Sequence, residues 1–509
     1  MSDGAPRTSL TDGAGAAEPS MRGNGSPRPA EPASVDQVSE RSEPAAGFDA
    51  GLLSPVSAGR DDLVSDGAVL RALVEAEVAL VRAYADAVAQ SAAPGAGSAE
   101  AEKLRRAADA ADALHAVAID PARLARDAVA GGNPVIPLVK ALRAGAPDGL
   151  REWVHRGATS QDILDTALML VARDAVEGLL VDLDRAAAAL GAFAARHRDV
   201  VAAGRTLTQH AVPTTIGLRA ANWFSGIERA AERLRALRLP AQLGGAGGTL
   251  AATVEFFRRS GDADDGSYSA GQGAGAARDA IDDALAVRDA YADALGLARN
   301  DVPWHTSRWP VTELGDALAQ AVAALGKVAT DVATASRTEI AELAEPSGGG
   351  SSAMPQKQNP TRSVLIRSAA IRAPQLAATL HLAAGLAADE RPDGAWHAEW
   401  PALRDLLRAA LGAANHGADL VEGLRVNEID VARTLGATGG LIVSERLSAV
   451  LGKERAAEIV AGVAAGGDLA ELVRGAGEDP AELLDPANYT GLAGEFVDRI
   501  TGNENRSTG

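Results

Sequence analysis

The stretch Ser347-Gly348-Gly349-Gly350-Ser351-Ser352-Ala353-Met354-Pro355-Gln356-Lys357-Gln358-Asn359-Pro360 gathers residue types that could take a proton from carbon. Consecutive glycines give the backbone a freedom that no other residue allows. Two hydroxyls follow, then one cation, Lys357. Asn359 suits a helix N-cap and Pro360 the first helical position. The expectation is a mobile loop that carries a hydroxyl and an ammonium and ends at the positive end of a helix dipole. Such a place holds a small carboxylate. A serine hydroxyl is a poor base in water. Beside Lys357, loop amides and a helix start, its alkoxide is stabilised and can exchange protons with carbon. A plain surface turn would explain the glycines, but not Met354-Pro355-Gln356-Lys357 placed between them and a helix.

Three further clusters stand out. His155-Arg156-Gly157-Ala158-Thr159-Ser160-Gln161-Asp162 offers an imidazole and two hydroxyls immediately before a long helical stretch. Thr159 and Ser160 either cap that helix or meet a ligand. His155 is either an imidazole partner or a packed histidine. In Val302-Pro303-Trp304-His305-Thr306-Ser307-Arg308, Arg308 is either a bidentate partner for a carboxylate or a helix-end arginine. Glu390 to Trp400 holds two tryptophans, a histidine and two glutamates. His397 and Glu399 are two apart, which does not place them on one helix face, so no metal site is expected.

The elements that must position these groups read as helices. Leu70, Leu73, Val74, Val81 and Tyr84 share one helical face, and Pro94-Gly95-Ala96-Gly97 ends that helix. Shorter helices follow around 99–117, 121–129 and 135–144. Long segments run over 163–197, 209–237 once past Pro213, 311–344, 361–388 and 403–422, with Pro374 expected to kink one of them. Segments of this length imply an all-α protein, a long central helical bundle rather than a compact globule. No clear strand is expected. The expected organisation is a disordered tail over 1–46 and an N-terminal helical lobe over 47–155. A central bundle over 156–402 carries the loop 346–360. A C-terminal helical lobe over 403–501 and a polar tail over 502–509 complete the chain. Residues 261–277, mostly Asp, Gly, Ser and Ala, read as a surface insertion.

Composition narrows the function classes. Apolar residues make up 47% of the 509-residue chain but aromatics only 3%, so Ala, Leu and Val must fill the core. The absence of Cys excludes disulfides, thiolate metal sites and Cys nucleophiles, and is compatible with a cytoplasmic enzyme. A net charge of −19 disfavours nucleic acid and requires local cations for any anionic substrate. No apolar run reaches membrane-spanning length, and no secretory signal is expected.

Gly350 to Pro360 resembles the signature of the fumarase/aspartase superfamily. His155 to Asp162 resembles its first substrate-binding region, and Gly204-Arg205-Thr206-Leu207-Thr208-Gln209-His210-Ala211-Val212-Pro213 its second. Pro303 to Arg308 and Trp396-His397-Ala398-Glu399-Trp400 are similar to the carboxymuconate cycloisomerase branch, although Trp309-Pro310 replaces a usually polar pair. The resemblance covers roughly residues 48–450. It implies a long helical bundle between two smaller lobes and a homotetramer, each active site shared by three chains.

It also implies roles. Ser351 is the catalytic proton carrier, with Lys357 and His155 as catalytic partners. Thr159, Ser160, Arg205, Thr206, His210, Gln242, Arg308, Ser352 and Asn359 bind substrate, a small anionic polycarboxylate. Arg391 is a further candidate cation. No metal or organic cofactor is required. Fumarate-forming lyases carry His where this chain has Leu207, and leucine cannot move a proton. His210, about one helical turn on, is the replacement candidate. The activity implied is lactonisation of 3-carboxy-cis,cis-muconate in protocatechuate breakdown. The alternative is a fumarate-releasing lyase for an adenylosuccinate-, aspartate- or nitrosuccinate-like substrate.

Overall fold

The longest helix among the described residues, α5 (Ser160–Arg196), runs about 55 Å, at 1.5 Å per residue. The computed structural model describes residues 51–91, 99–261, 274–346, 349–350, 354 and 357–502. Five long helices form the bundle: α5, α6 (Ile216–Arg235), α9 (Trp309–Ala335), α10 (Thr361–Gly385) and α11 (Gly394–Glu422). Neighbours pack as α5 on α6 and α11, and α9 on α6, α10 and α11. Small residues make this possible. A Cβ on Gly315 of α9 would stand 2.6 Å from Leu380 of α10, and one on Gly326 2.6 Å from Ala370. Buried Ala, Leu and Val fill the rest, as at Ala317, Leu318, Ala321 and Val322.

Ahead of the bundle lie α1 (Asp66–Gln90), α2 (Ala99–Asp109), α3 (Pro121–Ala128) and α4 (Val135–Gly145). Helices α7 (Ala251–Gly261) and α8 (Ala274–Ala294) bracket most of the insertion expected over 261–277, and α8 packs on α1. After the bundle come α12 (Glu428–Leu435), α13 (Ser444–Leu451), α14 (Lys453–Ala464), α15 (Leu469–Gly475), α16 (Pro480–Leu483) and α17 (Ala493–Thr501). Leu447, Ile459, Val473 and Leu483 form a small core there. Helix α17 returns to pack on α5 and α6. The all-α architecture expected from the sequence is what the fold shows. No helix among the described residues is long and apolar enough to cross a membrane.

Several local readings are corrected. The helix expected past Pro213 in 209–237 begins at Ile216, and the residues before it are not helical. Strands β1 (Val201–Thr206) and β2 (Gln209–Thr215) form an antiparallel hairpin before α6 begins. Leu207 and Thr208 form its turn with φ of 48° and 69°, the positive pair that a two-residue type I′ turn needs. His210 therefore lies across from Arg205 in the ladder, not one helical turn beyond Leu207. Helix α9 ends at Ala335, and Leu343–Ala344 is a strand (β3). Gly349–Gly350 (β4) pairs with Gln358–Asn359 (β5), and β3 pairs with Arg425–Val426 (β6). Helix α10 runs through Pro374, and α11 runs unbroken across residues 402–403. The tail over 1–46, the break at Pro94–Gly97 and most of the terminal polar tail lie outside the described residues.

Candidate active site

Helix α5 begins at the first cluster. Asp162 sits fully buried in its first turn. Its carboxylate accepts the Thr159 N–H at 2.9 Å, closing the helix start. It also accepts the backbone N–H groups of Gly244 and Gly245, each at 2.9 Å, and His305 Nε2–H at 2.7 Å. One acid thus fixes a helix start, a glycine loop and an imidazole that are distant in sequence. His155 is held in the same way. The fully buried Glu77 accepts its Nδ1–H at 2.7 Å and its backbone N–H at 2.8 Å. That grip holds His155 at a φ of 61°. Thr159 is buried as the N-cap and Ser160, half-buried, opens the helix. Gln242 is fully buried, and its side-chain oxygen accepts the Trp304 N–H at 3.0 Å, so it supports the loop from inside.

One turn further along α5 stands Asp165, and Arg308, which precedes α9 and packs against that acid, has no room for a substrate. Its guanidinium is 1% exposed and lies between two carboxylates. Asp165 accepts from Nη1 at 2.6 Å and Nη2 at 3.0 Å. Glu399 accepts from Nη2 at 2.6 Å and from Nε at 3.1 Å. The expectation of a substrate cation here is overturned, because the donor fork is filled by the protein's own acids. Burial opposes the Arg308 charge, but Asp165 and Glu399 prevail and its pKa rises above the ordinary arginine value. Burial pushes the Glu399 carboxyl up, and Arg308 offsets this only in part. Trp396 donates its indole N–H to Asp165 at 2.9 Å. The tryptophan-rich cluster is therefore a clamp that joins α5, α9 and α11. His397 is exposed and bonds the Asp393 and Gly132 carbonyls. No acid-and-histidine group that could hold a metal occurs among the described residues.

The other end of α5 delivers the hairpin. Arg205 pairs with both oxygens of Glu342, a fully buried acid just before β3. Arg219 Nη1 at 3.3 Å and the Thr434 hydroxyl share the same carboxylate. Burial pushes the Glu342 carboxyl up, but Arg205, Thr434 and Arg219 outweigh it and hold it below the usual range. Thr206 is exposed beside the turn, His210 is half-buried, and Leu207 is 96% exposed.

Glu342 leads directly into the neck of the loop. Three residues on, Glu345 is buried and its carboxylate accepts the N–H groups of Arg362 at 3.0 Å and Ser363 at 2.9 Å. The expected Asn359 cap is thus corrected. Helix α10 starts at Thr361, and Glu345 caps it from across the neck. The positive end of that helix is filled by the protein, not open to a substrate carboxylate. Asn359 instead pairs with Gly349, closing the neck. Lys357 is exposed, with no ion pair among the described residues. Ser351 and Ser352 lie outside the described residues.

The expected site residues therefore form two groups at opposite ends of α5. His155, Thr159, Ser160, Gln242 and Arg308 gather at its start. Arg205, Thr206, His210, Asn359 and Lys357 gather beyond its end. Within one chain these groups cannot meet across about 55 Å. Sequence reasoning missed four of the acids that hold them: Glu77, Asp165, Glu342 and Glu345. It quoted Asp162 without giving it a role and weighed Glu399 only as a metal ligand, not as the partner of Arg308. Asp162 and Glu399 carried a signal, as members of their motifs.

Comparison with known proteins agrees with this architecture. A family model described as Lyase matches residues 67–309 and 268–374. Nitrosuccinate lyase of Streptomyces davaonensis is 45% identical over 494 residues, covering 91% of this chain and 97% of that protein. A 3-carboxy-cis,cis-muconate cycloisomerase of Pseudomonas aeruginosa is 38% identical, covering 76% and 84%. The crystal structure of 3-carboxy-cis,cis-muconate lactonizing enzyme from Pseudomonas putida superposes with a TM-score of 0.73 at 32% identity, covering 89% of this chain and 98% of that one. The chain belongs to the fumarase/aspartase superfamily of lyases and is an enzyme of that family.

Proposed function

We propose that this enzyme moves one proton at a carbon next to a carboxylate of a small polycarboxylate, with Ser351 as the carrier. The observation that carries this reading is Leu207. It occupies the outer turn of the hairpin, almost fully exposed, where an imidazole would have been a second proton carrier. Chemistry that needs one carrier fits that arrangement. Lactonisation of 3-carboxy-cis,cis-muconate is such a reaction: a substrate carboxylate adds to the double bond, and Ser351 delivers a proton to the neighbouring carbon. The structural likeness to the lactonizing enzyme supports it. Elimination from nitrosuccinate is the second reading, supported by the 45% identity to a nitrosuccinate lyase. There Ser351 removes the carbon-bound proton, the electron pair forms the double bond of fumarate, and nitrite departs. Nitrite is a weak base and leaves without being protonated. Release of an amine would need an acid that Leu207 cannot supply.

Lys357 holds the substrate carboxylate in which charge develops as the proton leaves. The separation of the two residue groups along α5 supports a site built by more than one chain, and the family resemblance extends this to a homotetramer in which three chains build each site. One pair of assays decides between the substrates. Loss of the conjugated diene follows 3-carboxymuconate, and nitrite with fumarate follows nitrosuccinate. Turnover of one and not the other is expected. Ser351→Ala should abolish it while leaving folding and assembly intact. Near-normal rates in that variant would overturn the assignment.

A further inference from the structure

We infer that Arg156 is a specificity-determining residue that binds a third planar, two-oxygen group on the substrate, a carboxylate or a nitro group. Other cations near the site segments are already engaged. Arg308 is closed between Asp165 and Glu399, Arg205 is held by Glu342, and Arg391 donates to the Ala246 carbonyl at 2.9 Å. Arg156 has no carboxylate partner among the described residues. Two buried acids that hold the same segment are already engaged, Glu77 by His155 and Asp162 by His305 and three backbone N–H groups.

The side chain is nevertheless positioned. Its guanidinium carbon lies 4.3 Å from the centroid of the Trp153 ring and 4.7 Å from that of Phe256. Trp153 is fully buried, so the platform is rigid. The two ring planes stand at 90° to each other, so the guanidinium can lay its flat side on one ring only, and N–H groups turned away from both rings remain available. That fork matches a planar group with two oxygens. Location supports the role. Arg156 is half-buried between His155 and Gly157. The glycine loop crosses there, with the Gly157 carbonyl 3.0 Å from where a Cβ on Gly245 would stand.

The inference rests on the proposed function and deepens it. Both candidate substrates carry two carboxylates plus one more planar group, a carboxylate in one and a nitro group in the other. A simple succinate carries no third group.

The test uses binding, so it does not depend on which substrate turns over. Calorimetry on the full-length enzyme compares tricarballylate, with three carboxylates, against succinate, with two. The native enzyme should bind tricarballylate about 10- to 100-fold more tightly. Arg156→Met should remove that preference with succinate affinity unchanged, and Arg156→Lys should keep part of it. Unfolding temperature and assembly should match the native enzyme in both variants. No preference in the native enzyme, or equal weakening of both ligands in Arg156→Met, overturns the role of Arg156. If neither proposed substrate reacts while the preference and its loss are seen, the reaction is wrong and the Arg156 site stands.

Discussion

The two ends of α5 handle charge differently. At the start of the helix, cations and acids are buried together. Arg308, Asp165 and Glu399 are nearly inaccessible, and Asp162 and Glu77 each lock a histidine. At the far end, the buried Glu342 and Glu345 reach outward to groups near the surface. Arg205 keeps 19% of its side chain exposed and Arg219 18%. The first end is a closed joint between three helices. The second is a half-open mount for a hairpin and a loop. A cation in a site motif is thus available to substrate only if no acid remote in sequence has already claimed it.

The largest expected effect breaks the closed joint. Arg308→Met leaves Asp165 and Glu399 buried without a counter-charge, which costs about 3–5 kcal/mol. Arg205→Met should cost less, about 1–2 kcal/mol, because Arg219 and Thr434 remain on Glu342 and water can reach the gap. Urea midpoints of the two variants measure the difference. Equal losses would mean that the two ends do not differ in closure.

Acid titration should separate the ends by sign. Glu342 has a folded pKa below the usual value. Its stabilisation is present above the unfolded pKa and is lost as pH falls through the depressed folded one. Glu399 has a raised folded pKa, so the folded state takes up its proton first, and stability from this group rises as pH falls through that value. Glu342→Gln should therefore flatten the acid loss of stability. Glu399→Gln should raise stability at neutral pH relative to acid pH. Unfolding free energies from neutral to acid pH check both slopes. The same slope change in both variants would contradict the sign difference.

A smaller effect concerns the helix start beneath the loop. Glu345→Gln should cost about 1 kcal/mol, the usual loss of a capping group, whereas Asn359→Ala should be close to neutral for the cap. If Asn359→Ala costs more, the cap assignment is reversed.

Much of the bundle was legible because long uninterrupted apolar periodicity has few other solutions. The helix start beyond the loop was legible because Asn359-Pro360 announces it, and α10 begins at Thr361. What the sequence hid were pairings over more than a hundred residues, such as Arg205 with Glu342 and Arg308 with Asp165. A single acid on a helix has no local mark that it will be buried against an arginine. The hairpin was hidden for a local reason. Its turn is Leu207-Thr208 rather than the Asn-Gly or Asp-Gly that positive φ favours, and β2 contains Pro213, a residue strands rarely accept. The cap was misplaced because Asn359-Pro360 satisfies the rule for a helix start. A carboxylate reaching across the neck reached the orphan N–H groups first.

The smallest prediction sharpens the contrast at its most exposed point. Leu207 holds a φ of 48° with 96% of its surface in solvent. A non-glycine side chain in that conformation costs about 1 kcal/mol, and Leu207 gains no burial within its own chain to offset it. Leu207→Asn should stabilise the protein by about 0.5–1 kcal/mol, since asparagine tolerates positive φ and favours this turn. Thermal unfolding reads the gain, and turnover of the accepted substrate should stay within about twofold of the native rate. A stabilised but slow variant would show that Leu207 meets the substrate or a neighbouring chain. Its apolar surface, rather than the absence of an imidazole, would then be the reason this residue occupies the turn.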